Sequence, residues 1–206
     1  GPATGATLQL AGGMVGTALG GTRVLFSGTA APLIFVNASQ ATAIVPYSVG
    51  SRATVSVEVE RNGVRRPGLT FPVVASQPGL FTINASGGGG AAIINQDGTV
   101  NSPANPAPRG SIIALYATGE GATDPQGVEA RVNTGGELPA PRLPVRVRLG
   151  GVEATPVYAG AAPDAVTGLM QVNVRIPDGT PTGGTVPVVL AVGTALSQTG
   201  ATVAVR

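Results

Sequence analysis

A chain of 206 residues has room for one large β domain or two of about 100 residues each. Hydrophobic residues make up 43% of it but aromatic ones only 3%, so any core must be built from Val, Ile, Leu and Ala. Only 11% is charged, against about 25% in ordinary soluble domains; all 12 basic residues are Arg, and a net charge of +2 makes no electrostatic case for nucleic acid or a membrane surface.

Punctuation sets the fold class. With 32 Gly and 18 Pro the chain meets a turn-former about every fourth residue, leaving no window with helical periodicity. Short Val- and Thr-rich runs between such turns predict an all-β chain. Thr7-Leu8-Gln9-Leu10 predicts an isolated strand on a flexible glycine tether, Ala11–Gly21. Thr22–Phe26 and Pro32–Val36, separated by Ser27-Gly28, predict a hairpin. Gln40–Val45 ends at Pro46, which cannot donate to a ladder. Thr54–Glu60 alternates strictly, with Val55, Val57 and Val59 inward. Asn62-Gly63 then predicts a type I′ turn, whose two central residues need positive φ. Leu69–Val74 closes a first unit.

A second unit repeats the first. Gln40 and Pro46 stand 131 residues before Gln171 and Pro177, as Thr54–Val57 stands before Thr185–Val188. Val24, Phe26 and Ala31 stand 123 before Val147, Leu149 and Ala154, with the step between the two offsets falling in Ala162–Leu169. Leu69–Val73 precedes Ala201–Val205 by 132, and Gly5–Ala11 corresponds in pattern to Gly110–Tyr116. Offsets that hold within strands and move at turns indicate duplication. A repeat of about 100 residues predicts two tandem immunoglobulin-like (E-set or IPT-like) β-sandwiches lacking the disulfide, since the chain has no Cys. The expected boundaries are 1–82 for the first sandwich, its strand at 7–10 open to exchange, and 110–206 for the second. Between them, 83–109 is expected to be a joint. There Gly87–Gly90 predicts a flexible tip, Ile93–Thr99 a hairpin around Asp97-Gly98, and Ser102–Arg109 an extended proline strut.

A family resemblance runs through both units. Its words are Ala31-Pro32-Leu33, Gln40 with Val45-Pro46-Tyr47, and Pro78-Gly79-Leu80-Phe81-Thr82. They continue with Asn95-Gln96-Asp97-Gly98, Asn101-Ser102, Asn105-Pro106 and Tyr116-Ala117-Thr118-Gly119 with Gly121. Gly150-Gly151-Val152, Tyr158-Ala159-Gly160 with Pro163, and Gln171-Val172-Asn173-Val174 with Ile176-Pro177 complete the set. In this the chain resembles the Solibacter-type C-terminal domain of large predicted secreted proteins of Acidobacteria. The resemblance covers the chain from about Gly20 onward and implies a secreted or cell-surface β module with no catalytic residues to carry over.

Chemistry is narrowed mostly by what the alphabet lacks. Without His or Cys there is no Ser-His-Asp or Cys-His nucleophile and no imidazole or thiolate metal site. Without Lys there is no P-loop lysine, Schiff base or Lys–Asn isopeptide staple. The ten acidic residues are scattered, with no spacing that suggests a glycosidase pair. Asn95-x-Asp97-Gly98 lacks the spaced ligands and final Glu of a calcium loop and fits a hairpin turn. The run Asn95, Asp97, Asn101, Asn105 suits bonding to orphan backbone groups. Gly119-x-Gly121 has no helix after it, and Arg61, Arg65 and Arg66 flank the Asn62-Gly63 turn as a solvated tip or an anion patch. Tyr47, Tyr116 and Tyr158 sit in apolar runs that suit packing better than sugar stacking.

These readings predict a non-enzyme without cofactor or metal, placed outside the cell or on its surface. The expected role is a building block assembling through strand edges into a filament or surface layer, with Thr7, Leu8, Gln9 and Leu10 as the inter-subunit strand. Its partner would be itself or another surface component, with no nucleic acid and no membrane insertion. The alternative is an adhesive module that binds carbohydrate or protein through loops, Pro163, Asp164 and Val166 among them.

Overall fold

Turn-formers this closely spaced leave room for strands and little else. A computed structural model, describing all 206 residues, has 22 strands, one 3-10 turn at Tyr47–Val49 and no α-helix. The chain divides into two compact units: Gly1–Ala75 with Gln126–Gly136 and Pro163–Gly168, and Ser76–Pro125 with Glu137–Ala162 and Leu169–Arg206.

The first unit contains β1 (Ala6–Thr7), β2 (Leu10–Ala11), β3 (Met14–Val15), β4 (Thr22–Phe26) and β5 (Thr29–Ala30). It continues with β6 (Leu33–Val36), β7 (Ala41–Ala43), β8 (Thr54–Arg61) and β9 (Val64–Pro72). One sheet runs β5-β4-β8-β9 and the other β1-β6-β7. A small core joins them: Leu19, Val24, Phe26, Ala31, Leu33, Val36, Val49 and Val55. The predicted turn at Asn62-Gly63 is present, with φ of 48° and 80°.

Two expectations fail in this unit. Thr22–Phe26 and Pro32–Val36 do not pair with each other; β4 pairs with β5 across Ser27-Gly28. Ala31 N–H still donates to the Val24 carbonyl, but Pro32 has no N–H, so the ladder stops and β6 enters the other sheet. Nor is Thr7–Leu10 one isolated strand on a loose tether. Thr7 pairs with Phe35, and Leu8 N–H reaches the Ile34 carbonyl. Leu10 starts a separate hairpin with Val15. The glycines that suggested flexibility form two tight turns, Gly12-Gly13 and Gly20-Gly21, all four with positive φ that costs glycine nothing.

The second unit begins with β10 (Gly79–Leu80), β11 (Gly89–Gly90), β12 (Ile93–Ile94), β13 (Ile112–Thr118), β14 (Thr123–Asp124) and β15 (Ala140–Pro141). Then come β16 (Val145–Leu149), β17 (Val152–Ala154), β18 (Pro156–Ala161) and β19 (Met170–Arg175). β20 (Gly183–Val192), β21 (Ala195–Leu196) and β22 (Ala201–Val205) complete it. Its sheets run β10-β13-β19-β18, with β12 also on β13, and β11-β22-β20-β16-β17, with β21 on β20. The core between them is much larger than that of the first unit, and Ile113, Leu115, Val172, Val174 and Leu190 are fully buried in it.

The stretch expected as a joint lies inside this second unit. Gly89-Gly90 is no flexible tip; it pairs in parallel with Ala201-Thr202. Ile93 and Ala107 are fully buried in the core, and Ala107 bridges Val205. Leu80 belongs to the same core, so the division falls at Ala75/Ser76 rather than after Thr82.

The sequence repeat is also a repeat of hydrogen-bond register. β4 pairs with β8 from Thr22↔Arg61 to Phe26↔Val57, and β16 with β20 from Val145↔Val192 to Leu149↔Val188. These are the same pairs once the offsets of 123 and 131 are applied. Leu33↔Ala43, Phe35↔Thr42 and Val36↔Ala41 likewise become Pro156↔Val174, Tyr158↔Asn173 and Ala159↔Val172, including the irregularity after the first pair. Leu190, fully buried on β20, tests the larger core: Leu190→Ala is expected to cost about 3 kcal/mol, read from the urea midpoint.

Candidate functional site

No three acidic side chains come together as a metal could require, and no helix is long and apolar enough to cross a membrane. The Asn-rich run is brought together, but as a network closed on itself and the backbone. Asn95 Nδ2 donates to the Asn105 carbonyl at 3.1 Å, and Asn101 Nδ2 to Asn95 Oδ1 at 2.9 Å. Thr99 donates through N–H and hydroxyl to Asp97 Oδ1, which holds the Asp97 carboxyl below its ordinary pKa. Asn101 serves β22 directly. Its Nδ2 donates to the Ala204 carbonyl at 2.9 Å, and its Oδ1 accepts the Ala204 N–H at 2.8 Å. A side-chain amide here takes the place a neighbouring peptide group would have in the ladder.

The predicted binding loop is placed differently from the expectation of a free loop on the second unit. Pro163, Asp164 and Val166 belong to the first unit, where Asp164 N–H donates to the Asn133 carbonyl and Val166 bridges Val132. Thr167, buried, donates its hydroxyl to the Arg131 carbonyl at 2.9 Å. The 131–133 segment in turn reaches β3, with Val15 N–H on the Ala130 carbonyl and Met14 bridging Arg131.

The arginine tip is occupied as well. Arg65 Nε reaches Glu60 Oε2 at 2.9 Å, and Arg23 reaches Glu60 Oε1 at 3.2 Å, on the outward face of β4, β8 and β9. Arg61 donates to the Gly20 carbonyl and to Thr22 Oγ1. Tyr158 donates its hydroxyl to the Ala161 carbonyl at 2.6 Å, and burial raises its pKa.

What sequence reasoning missed is the state of the first unit's inward faces. β7 ends its sheet with no strand paired to its far side, and β9 is exposed along its whole length. Leu69 and Phe71 on β9, Val59 on β8 and Val45 just past β7 are all exposed, although their alternation places them toward the core. Their apolar pattern was legible; their lack of cover was not. A second feature is a groove of about 220 Å³ in the second unit, lined by Ile83, Asn84, Ser102, Pro103 and Thr202, without a charged residue.

Two tests follow from these contacts. Asn101→Ala strands the N–H of buried Ala204, whose carbonyl keeps the Ala107 N–H, and is expected to cost about 2 kcal/mol in chemical denaturation. The Glu60 carboxyl is held below its ordinary 4.5 first by Arg65 and then by Arg23, so its contribution is present above that pH and lost as the pH falls through the lowered value. Glu60→Gln is therefore expected to lower the urea midpoint at pH 7, with the gap to the parent protein closing in acid below pH 4.5.

Comparison with protein-family models, with characterised proteins and with solved structures finds no match to this chain, which leaves its own geometry to carry the functional reading.

Proposed function

We propose that this chain is a structural building block of the bacterial cell surface or its surroundings: a tandem pair of immunoglobulin-like sandwiches that assembles through strand edges. The observation that carries the proposal is the unpartnered edge of β7 beside the uncovered apolar faces of β8 and β9. An exposed edge offers main-chain donors and acceptors, and the apolar side chains next to it add the burial that makes pairing favourable. Absence of thiols and low charge suit a long-lived assembly in an oxidising setting. The likeness to secreted Acidobacterial domains supports the same location.

A second reading rests on the uncharged groove at Asn84, Ser102 and Thr202, whose amide and hydroxyls match the hydrogen-bonding needs of a neutral polar ligand such as a saccharide. One experiment separates the two. Negative-stain images and sedimentation across a concentration series are expected to show ordered polymers, beside a glycan array at background level. Monomers at every concentration, with array hits lost in Asn84→Ala, would reverse the order of the two readings.

A further inference from the structure

The two units share a strand plan and depart from it at one place. In the second unit β13 lies against β19, with Ile113↔Val174 and Leu115↔Val172 paired and Ile176 N–H on the Ser111 carbonyl. The residues standing 131 earlier are Ala41, Ala43 and Val45 on and beside β7, and no strand lies against them. Asn37 N–H donates to the Gln40 carbonyl and Ile44 N–H to the Pro32 carbonyl, so alternation turns the N–H groups of Ala41 and Ala43 away from β6. They point into the place that β13 fills in the second unit.

The opposite sheet reports the same vacancy. Leu69 and Phe71 are 70% and 47% exposed, whereas their counterparts Ala201 and Val203 are each 1% exposed. Val59 is 41% exposed against 0% for Leu190, and Val45 57% against 0% for Ile176. Val73, one residue past β9 and in phase with Leu69 and Phe71, does pack on the core, so these side chains face inward and lack a cover. The first unit is a sandwich one strand short.

We propose that the slot along β7 receives the Gly5–Ala11 segment of a second copy of this chain. That segment matches Gly110–Tyr116, which carries β13, with Leu8 and Leu10 standing where Ile113 and Leu115 stand. At home it is poorly used: only Ala6–Thr7 is a strand in the sheet, and Leu10 is 56% exposed. By the β13 register, Leu8 comes opposite Ala43 and Leu10 opposite Ala41, their side chains over Leu69 and Phe71. The free edge of β9 is a poorer acceptor because Pro67 and Pro72 remove two donors from it, while Gln40–Val45 contains no proline. Donor and acceptor sit at opposite ends of the order β1-β6-β7. A contact between different surfaces of like subunits need not close, and so propagates as a filament. The inference rests on the strand-edge assembly proposed above and names its two halves.

The test uses the full chain, with sedimentation to read assembly and amide hydrogen exchange to read the slot. The expected result is concentration-dependent association with protection of the Ala41, Ala43 and Val45 amides. Both are lost when residues 1–12 are removed, and a synthetic Pro2–Gly12 peptide restores protection without polymer. Leu69→Glu, at an exposed position, keeps the full chain folded and weakens association at least about tenfold. Association without protection of those amides overturns the slot and leaves strand-edge assembly standing. Protection in a monomer at every dilution means that the chain's own segment fills the slot, which overturns exchange between copies. Neither association nor peptide-induced protection overturns both.

Discussion

Both units depend on one antiparallel ladder, β4 with β8 and its counterpart β16 with β20. In the first, every second residue, Val24, Phe26, Val57 and Val59, faces inward, while Arg23, Glu58 and Glu60 face out. A slip of one residue would turn the whole apolar set to water and drive three charges into the core, so the register has no near competitor. The charged face adds its own specification, since Arg23 lies opposite Glu60 and bonds to it. The inward face of such a ladder needs a cover, although Leu25, on the outward face with Arg23 and Glu58, is also fully buried. In a chain without Trp each core side chain covers little area, so cover has to come from the number of strands in the opposite sheet. The second unit has those strands, whereas on the first unit's β9 side the ladder's inward face outruns them.

Edges are managed differently around the molecule. β9 carries Pro67 and Pro72, and Arg65 projects from its outward face. At β18, Ala161 N–H finds the Pro139 carbonyl, and at β22 the parallel pairing with β11 occupies the rim. These devices keep sheets from pairing at random. β7 has none of them.

What the sequence disclosed was what its local chemistry decides. Asn62-Gly63 and the repeat offsets depend on neighbours, and both are present in the fold; of the alternating Thr54–Glu60 set only Val55 is buried, with Val57 half-buried and Val59 exposed. The failures involve partners far along the chain. Pro32 looked like the start of a hairpin arm, but its missing N–H is what sends β6 to the other sheet. The Asn-rich stretch looked like a joint because the partner of Asn101, Ala204, lies 103 residues away. Pro163, Asp164 and Val166 looked like a free loop because nothing local announces their pairing with 131–133. The open slot leaves no mark in composition at all. It is visible only when the exposure of Leu69 and Phe71 is set beside that of Ala201 and Val203.

The amide of Asn101 carries a liability of a different kind. It works at Ala204 because one end donates and the other accepts, the same polarity as the peptide bond it replaces. Hydrolysis of that amide over time would leave a carboxylate, an acceptor at both ends. The Ala204 N–H would keep its bond, but the carbonyl would face a second oxygen in a buried place where such repulsion is little screened. The folded chain has no means of restoring this residue once its amide is lost. Its lifetime in place is then bounded by the chemical ageing of one buried side chain as well as by unfolding.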